Sequence, residues 1–74
     1  MWIRTQDREM LMDCNAVGIG LEDDKSIYSN GYVLGTYSSK KRALEVLDSI
    51  QYALDSELAV FEMPLETEYN NTYS

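Results

Sequence analysis

The sequence predicts a small α+β domain, an antiparallel β-sheet packed against one α-helix in the order β-β-β-β-β-α-β. Three observations predict it. In "SIYSNGYVLGTYS" the pair Asn30-Gly31 separates two alternating segments, and Asn-Gly supplies the positive φ angles of a two-residue type I′ hairpin turn. Ala43, Val46, Leu47, Ile50, Ala53 and Leu54 recur at three- and four-residue spacing, which makes a broad apolar stripe on one helix. The rest of the domain is short β-type runs, and a helix with one apolar face needs one sheet face to cover.

Taken in order, "WIRT" and "EMLMDC" read as a first and a second strand joined by a turn at Gln6 and Asp7. "AVGIGLE" alternates strictly, with Val17, Ile19 and Leu21 on one face and Gly18, Gly20 and Glu22 on the other. Glycines inside a strand weaken it, so this pair points to a bulge, a packed neighbouring strand, or a ligand close against the backbone. "DDKS" is a turn. The hairpin at Asn30-Gly31 then sets Ser29 opposite Tyr32, Tyr28 opposite Val33 and Ile27 opposite Leu34. Ser38 is the expected N-cap of a helix from about Ser39 to Asp55, with Glu45, Asp48, Gln51 and Asp55 off its apolar stripe. "LAVFEM" is a last strand stopped by Pro64. The domain is expected to span 1–64, with "LETEYNNTYS", 65–74, as a flexible acidic tail.

Seventy-four residues make one core, and chains of this size often lean on a disulfide, a metal or a partner subunit. Cys14 is the only cysteine and the chain has no histidine, so neither a disulfide within the chain nor a usual zinc site can be built. Self-association is the support that remains, and six tyrosines with one Trp and one Phe provide surfaces suited to it. A homo-oligomer is expected. "MWIRTQDREM" has no apolar run of signal-peptide length and no stretch approaches a membrane span, so the expected location is the cytoplasm, where a free thiol is stable. "NNT" at 70–72 matches a glycosylation acceptor by chance on that reading.

The net charge of −7 is unevenly placed. Residues 1–42 hold six basic and six acidic side chains, whereas 43–74 hold seven acids and no base. Direct nucleic-acid binding, which needs a basic surface, is excluded on that ground. An enzyme is disfavoured as well. No His is available as a general base, Cys14 has none to activate it and reads as a small core residue, and the acids lie in turns, on the polar helix face or in the tail. "GIG" is no dinucleotide fingerprint, because Asp23 stands where the third glycine belongs. No cofactor and no metal is expected.

One stretch is unusual for its position. "SSKKR" puts Lys40, Lys41 and Arg42 at a helix N-terminus, where cations are unfavourable by about 0.3 to 1 kcal/mol each. If an anion docks there, the free N–H groups, the Ser38 and Ser39 hydroxyls, Lys40 and Arg42 all point at it, which makes a seat for a phosphate-bearing ligand. The alternative is charge balance against the polar helix face, with Lys41 and Glu45 as an i, i+4 pair. Both readings stay open. Trp2 and Arg4, one residue apart on a strand, share a face and could grip a base or cap the sheet edge.

"MWIRTQD", "LGTYSSKKRALEVLDSIQ" and the closing "FEMP" together resemble a group of short, mostly uncharacterised proteins of Gram-positive bacteria, their phages and mobile elements. These begin M-W-I-R-x-Q-D, carry G-x-Y-S-x-K-x-R-A-x-x-V-L-D-x-I, and end a last strand near "YEMP". The group often has Glu at the position of Lys41, which would complete a capping box on Ser38. The resemblance implies a phage or mobile-element accessory protein and carries no activity. Two functions follow as expectations, neither enzymatic. The first is an anti-defence protein that oligomerises and sequesters a nucleotide signal, with phosphate on Ser38, Ser39, Lys40 and Arg42 and base against Trp2, Arg4 or a tyrosine. The alternative is a protein-directed inhibitor whose acidic half, Glu45, Asp48, Asp55, Glu57, Glu66 and Glu68, occupies the basic nucleic-acid channel of a host enzyme.

Overall fold

The computed structural model describes residues 1–66. It is the expected α+β domain, with β1 (Trp2–Arg4), β2 (Leu11–Asp13), β3 (Gly18–Ile19), β4 (Ser26–Ser29), β5 (Tyr32–Thr36), α1 (Lys40–Asp55) and β6 (Val60–Glu62) in the expected order. The strands divide between two three-stranded sheets, β2-β1-β6 and β3-β4-β5. β1 pairs antiparallel with β2 and parallel with β6. Parallel neighbours need a long crossover, and here everything from β2 to the end of α1 lies between them.

Register decides which side chains the helix covers. In the first sheet Ile3 is matched by Met12 and Phe61, and this row packs into the core. The rows on either side, Asp13–Trp2–Val60 and Leu11–Arg4–Glu62, point the opposite way, because side chains alternate along a strand. In the second sheet Asn30 and Gly31 both have positive φ, as the type I′ turn requires. Ser29 faces Tyr32 and Tyr28 faces Val33 as expected, but Ile27 faces Gly35, because Leu34 is the extra residue of a bulge. The bulge turns Leu34 inward, where it is fully buried.

Two other local expectations change. Leu21 does not share the packed face of Val17 and Ile19. The chain leaves the strand at Gly20, Asp23 closes a turn by accepting from the Ser26 hydroxyl and the Lys25 N–H, and Leu21 is fully exposed. Gly20 is where a neighbour lies close, since a Cβ there would stand 2.5 Å from the Tyr28 ring, whereas one at Gly18 would meet nothing. The helix also starts one residue later than expected. Ser39, extended at φ −153, is the N-cap and its hydroxyl accepts from Arg42 N–H at 3.1 Å. The third helical position is therefore Arg42, and a capping box on Ser38 has no place.

Ile3, Cys14, Ile27, Leu34, Tyr37, Ala43, Val46, Ile50 and Met63 form the core. Cys14 is buried there as a free thiol. Of the helical stripe, Ala43, Val46, Ile50 and Ala53 are buried, Leu47 is half-buried, and Leu54 is left exposed. At its far end α1 closes with Glu57 in the left-handed region (φ 58), while Glu57 N–H donates to Leu54 and Leu58 N–H to Ala53. That is a Schellman ending with Glu where glycine is usual. No described helix is long and apolar enough to cross a membrane. Of the expected tail, Leu65 and Glu66 are part of the described domain; the remainder, 67–74, including the "NNT" triplet, lies outside the described residues.

Candidate binding site

The entrance of α1 holds an anion, and the anion is the chain's own. Glu66 accepts from Ser38 N–H at 2.8 Å and from the Ser38 hydroxyl at 3.1 Å, and its carboxylate lies 3.8 Å from Arg42 Nε. Ser39 is occupied by its capping bond. Arg42 is buried, with its guanidinium 5.3 Å from the centre of the Tyr37 ring and 4.0 Å from Glu45. Its ion pair with Glu45 stands where the sequence suggested Lys41 with Glu45. Lys40 and Lys41 are exposed, and neither forms an ion pair with a described residue. Ser38 and Arg42 thus meet on Glu66, Ser39 is taken up by the cap, and Lys40 stands exposed next to them in the chain. Trp2 and Arg4 do share a face, but it is the outer face of the β2-β1-β6 sheet, opposite the row that packs into the core.

Near this entrance Gln6 and Tyr37 link the segments that carry the two sheets. Gln6 N–H donates to the Leu34 carbonyl that the bulge leaves available, its amide nitrogen donates to the carbonyls of Thr36 and Pro64, and its amide oxygen accepts from Thr36 N–H. Tyr37 Oη donates to the Pro64 carbonyl at 2.8 Å. Gly35 fits between them: a Cβ there would stand 3.0 Å from Tyr37 Oη, 3.2 Å from Gln6 Cβ and 3.3 Å from Met63 Cε. In the adjoining turn Asp7 accepts from the Thr5 hydroxyl and Glu9 N–H, which holds its carboxyl below the usual range. Arg8 bridges to Glu62 at 2.8 Å and lowers the pKa of that carboxyl.

The opposite end of the helix is open. Asp48, Ser49, Tyr52, Ala53, Ser56, Leu58 and Phe61 line a cavity of about 490 Å³ between α1 and β6. Tyr52 is 74% exposed, and Leu54, Leu58 and Val60 are about half exposed. Asp48 lies in the lining, Asp55 and Glu57 follow within the same stretch of chain, and no base occurs after Arg42. Sequence reasoning named these acids and missed the apolar residues among them. The available signal was Tyr52, an aromatic residue on α1 that lies off the apolar stripe.

No protein-family model, curated protein or solved structure matches this chain.

Proposed function

We propose that the protein works by binding, with no reaction of its own, and that its open end docks on a basic partner protein. The observation that carries this reading is the pair of exposed side chains Tyr52 and Leu58 in the lining of the 490 Å³ cavity, with Asp48 beside them and no basic residue after Arg42 in the chain. An apolar centre with a charged rim is the usual anatomy of a protein interface, and a rim of one sign selects the opposite sign and speeds encounter. The partner class is a host nuclease or polymerase with a basic nucleic-acid channel, and the setting is the cytoplasm of a bacterium carrying a phage or mobile element. The test is inhibition of such enzymes at rising ionic strength. Inhibition should weaken with salt and fall at least tenfold in Asp48→Lys/Asp55→Lys; unchanged inhibition by that variant would remove the reading.

A second reading rests on the helix entrance. Ser38 already holds a carboxylate, and the same N–H and hydroxyl suit a phosphate oxygen, with Lys40 exposed beside them. A nucleotide signal sequestered there by a homo-oligomer displaces Glu66 and sets its base against Trp2, Arg4 or a tyrosine. Native mass spectrometry with cyclic and ADP-ribose-type nucleotides tests this. A multimer with stoichiometric nucleotide, bound more tightly by Glu66→Gln and lost in Lys40→Glu/Arg42→Glu, supports it, and an empty monomer dismisses it.

A further inference from the structure

The outer face of the β2-β1-β6 sheet carries six side chains in two rows, Asp13–Trp2–Val60 and Leu11–Arg4–Glu62. All except Arg4 are exposed, and Trp2, Leu11 and Val60 are each close to half exposed. A sheet with one solvated face usually sets apolar residues inward and polar ones outward. Here half of the outward positions are large and apolar.

Charge on this face also differs from charge on the chain. Arg4 and Arg8 balance Asp13 and Glu62, whereas the whole chain carries −7. Arg8 bridges Glu62 at 2.8 Å, and the Met1 amine lies 3.4 Å from Asp13. Arg4 donates to the Arg8 carbonyl at 3.5 Å and forms no ion pair with a described residue. Two chains of this net charge repel, and a charge-balanced patch is where they can meet without adding to the repulsion. An acidic partner would find Arg8 already bridged, and a basic one Glu62.

The register makes the face complementary to itself. When two copies pack face to face about a twofold axis lying across the strands, each strand lies over its own copy with direction reversed, and the two rows exchange places. Arg4 then lies over the Trp2 ring of the second copy, next to that copy's Asp13, and the contact is made twice. An axis along the strands would instead set Arg4 over Arg4.

We infer that the chain forms a twofold dimer through the outer face of the β2-β1-β6 sheet, with Arg4 of each copy stacked on Trp2 and paired with Asp13 of the other. Three strands of three residues make a small patch beside the roughly 800 Å² per partner of a standard interface, so the dimer is weak. Phe61 and the cavity it lines are on the inner side of the sheet, so each copy keeps its open end.

Trp2 is the only tryptophan, and its fluorescence therefore reads this face directly. Sedimentation velocity of the full chain at rising concentration should show a monomer passing to a dimer, with a blue shift in Trp2 emission that follows the dimer fraction. Arg4→Glu and Asp13→Arg should each weaken the dimer at least tenfold, because each sets like charges together twice across the interface. Mixing the two variants should restore association, since both contacts then join opposite charges. A monomer at every concentration overturns the inference, as does a dimer that leaves Trp2 emission unchanged. An Arg4→Glu dimer as tight as the parent, or a mixture that associates no better than its components, overturns it too. Blue-shifted emission in a monomer, independent of concentration, would mean that the chain covers this face itself, and the inference falls.

Discussion

The two ends of α1 are finished in different ways. At the entrance, polar groups find specific partners inside the chain: Ser39 caps the helix, Ser38 holds Glu66, and Gln6 and Tyr37 bond across to Thr36 and Pro64. At the far end the backbone is satisfied by the Schellman bonds, yet Tyr52, Leu54 and Leu58 stay in water. The contrast separates what holds the fold from what is left over for a partner. Gln6, Gly35, Tyr37, Met63 and Pro64 meet at the closed end.

Truncation at the two ends should give the largest contrast. Met63→Ala removes a buried side chain from the closed end and should cost about 2 to 5 kcal/mol, whereas Leu58→Ala should stay within about 0.5 kcal/mol, both measured by urea unfolding. Equal losses would mean that the far end is as much a part of the core as the entrance.

Gly35→Ala sharpens the closed end. The added methyl must displace Tyr37 Oη, Gln6 or Met63, at a cost of about 1 to 3 kcal/mol. Tyr37→Phe removes the nearest of those atoms, so the double variant should lose less than the sum of the singles. Strict additivity in the unfolding midpoints would show that the crowding lies elsewhere.

The helix cap gives a smaller effect. Ser39→Ala should cost about 1 kcal/mol and Ser38→Ala clearly less, because only Ser39 satisfies a helical N–H while Ser38 makes an exposed bond to Glu66. Thermal unfolding of the two variants decides it, and the reverse order would restore Ser38 as the cap.

The smallest effect is on pH dependence. The Thr5 and Ser26 hydroxyls and Arg8 lower the pKa values of Asp7, Asp23 and Glu62 below the ordinary 3.8 and 4.5. The folded chain therefore binds fewer protons than the unfolded chain as pH falls through that range. The contribution of these groups is complete above the ordinary values and is lost as pH drops through their lowered ones. Replacing all three with the matching amides should flatten the acid limb of a plot of melting temperature against pH.

Much of this was legible in the chain. The type I′ hairpin needs only Asn30-Gly31 between alternating segments, and α1 needs only its periodicity, because both are local choices made within a few residues. The helix start was missed by one residue, since Ser38 and Ser39 are equally good caps and the choice rests on Glu66, 28 residues away from Ser38. The register slip at Ile27 was missed because Leu34 is as suitable for pairing as Gly35 until the bond from Gln6 N–H to its carbonyl is considered.

Element types, their order, and a charge distribution in which every residue after Arg42 is neutral or acidic can all be read from the chain. Composition and periodicity are properties of the chain, and they survive any arrangement of it. The folded chain adds that the strands form two sheets, that β6 lies parallel to β1 with no other described strand on its far side, and that Arg42 is buried beside Tyr37 and Glu66. These depend on which distant segments meet, and distance along a chain does not specify distance in space.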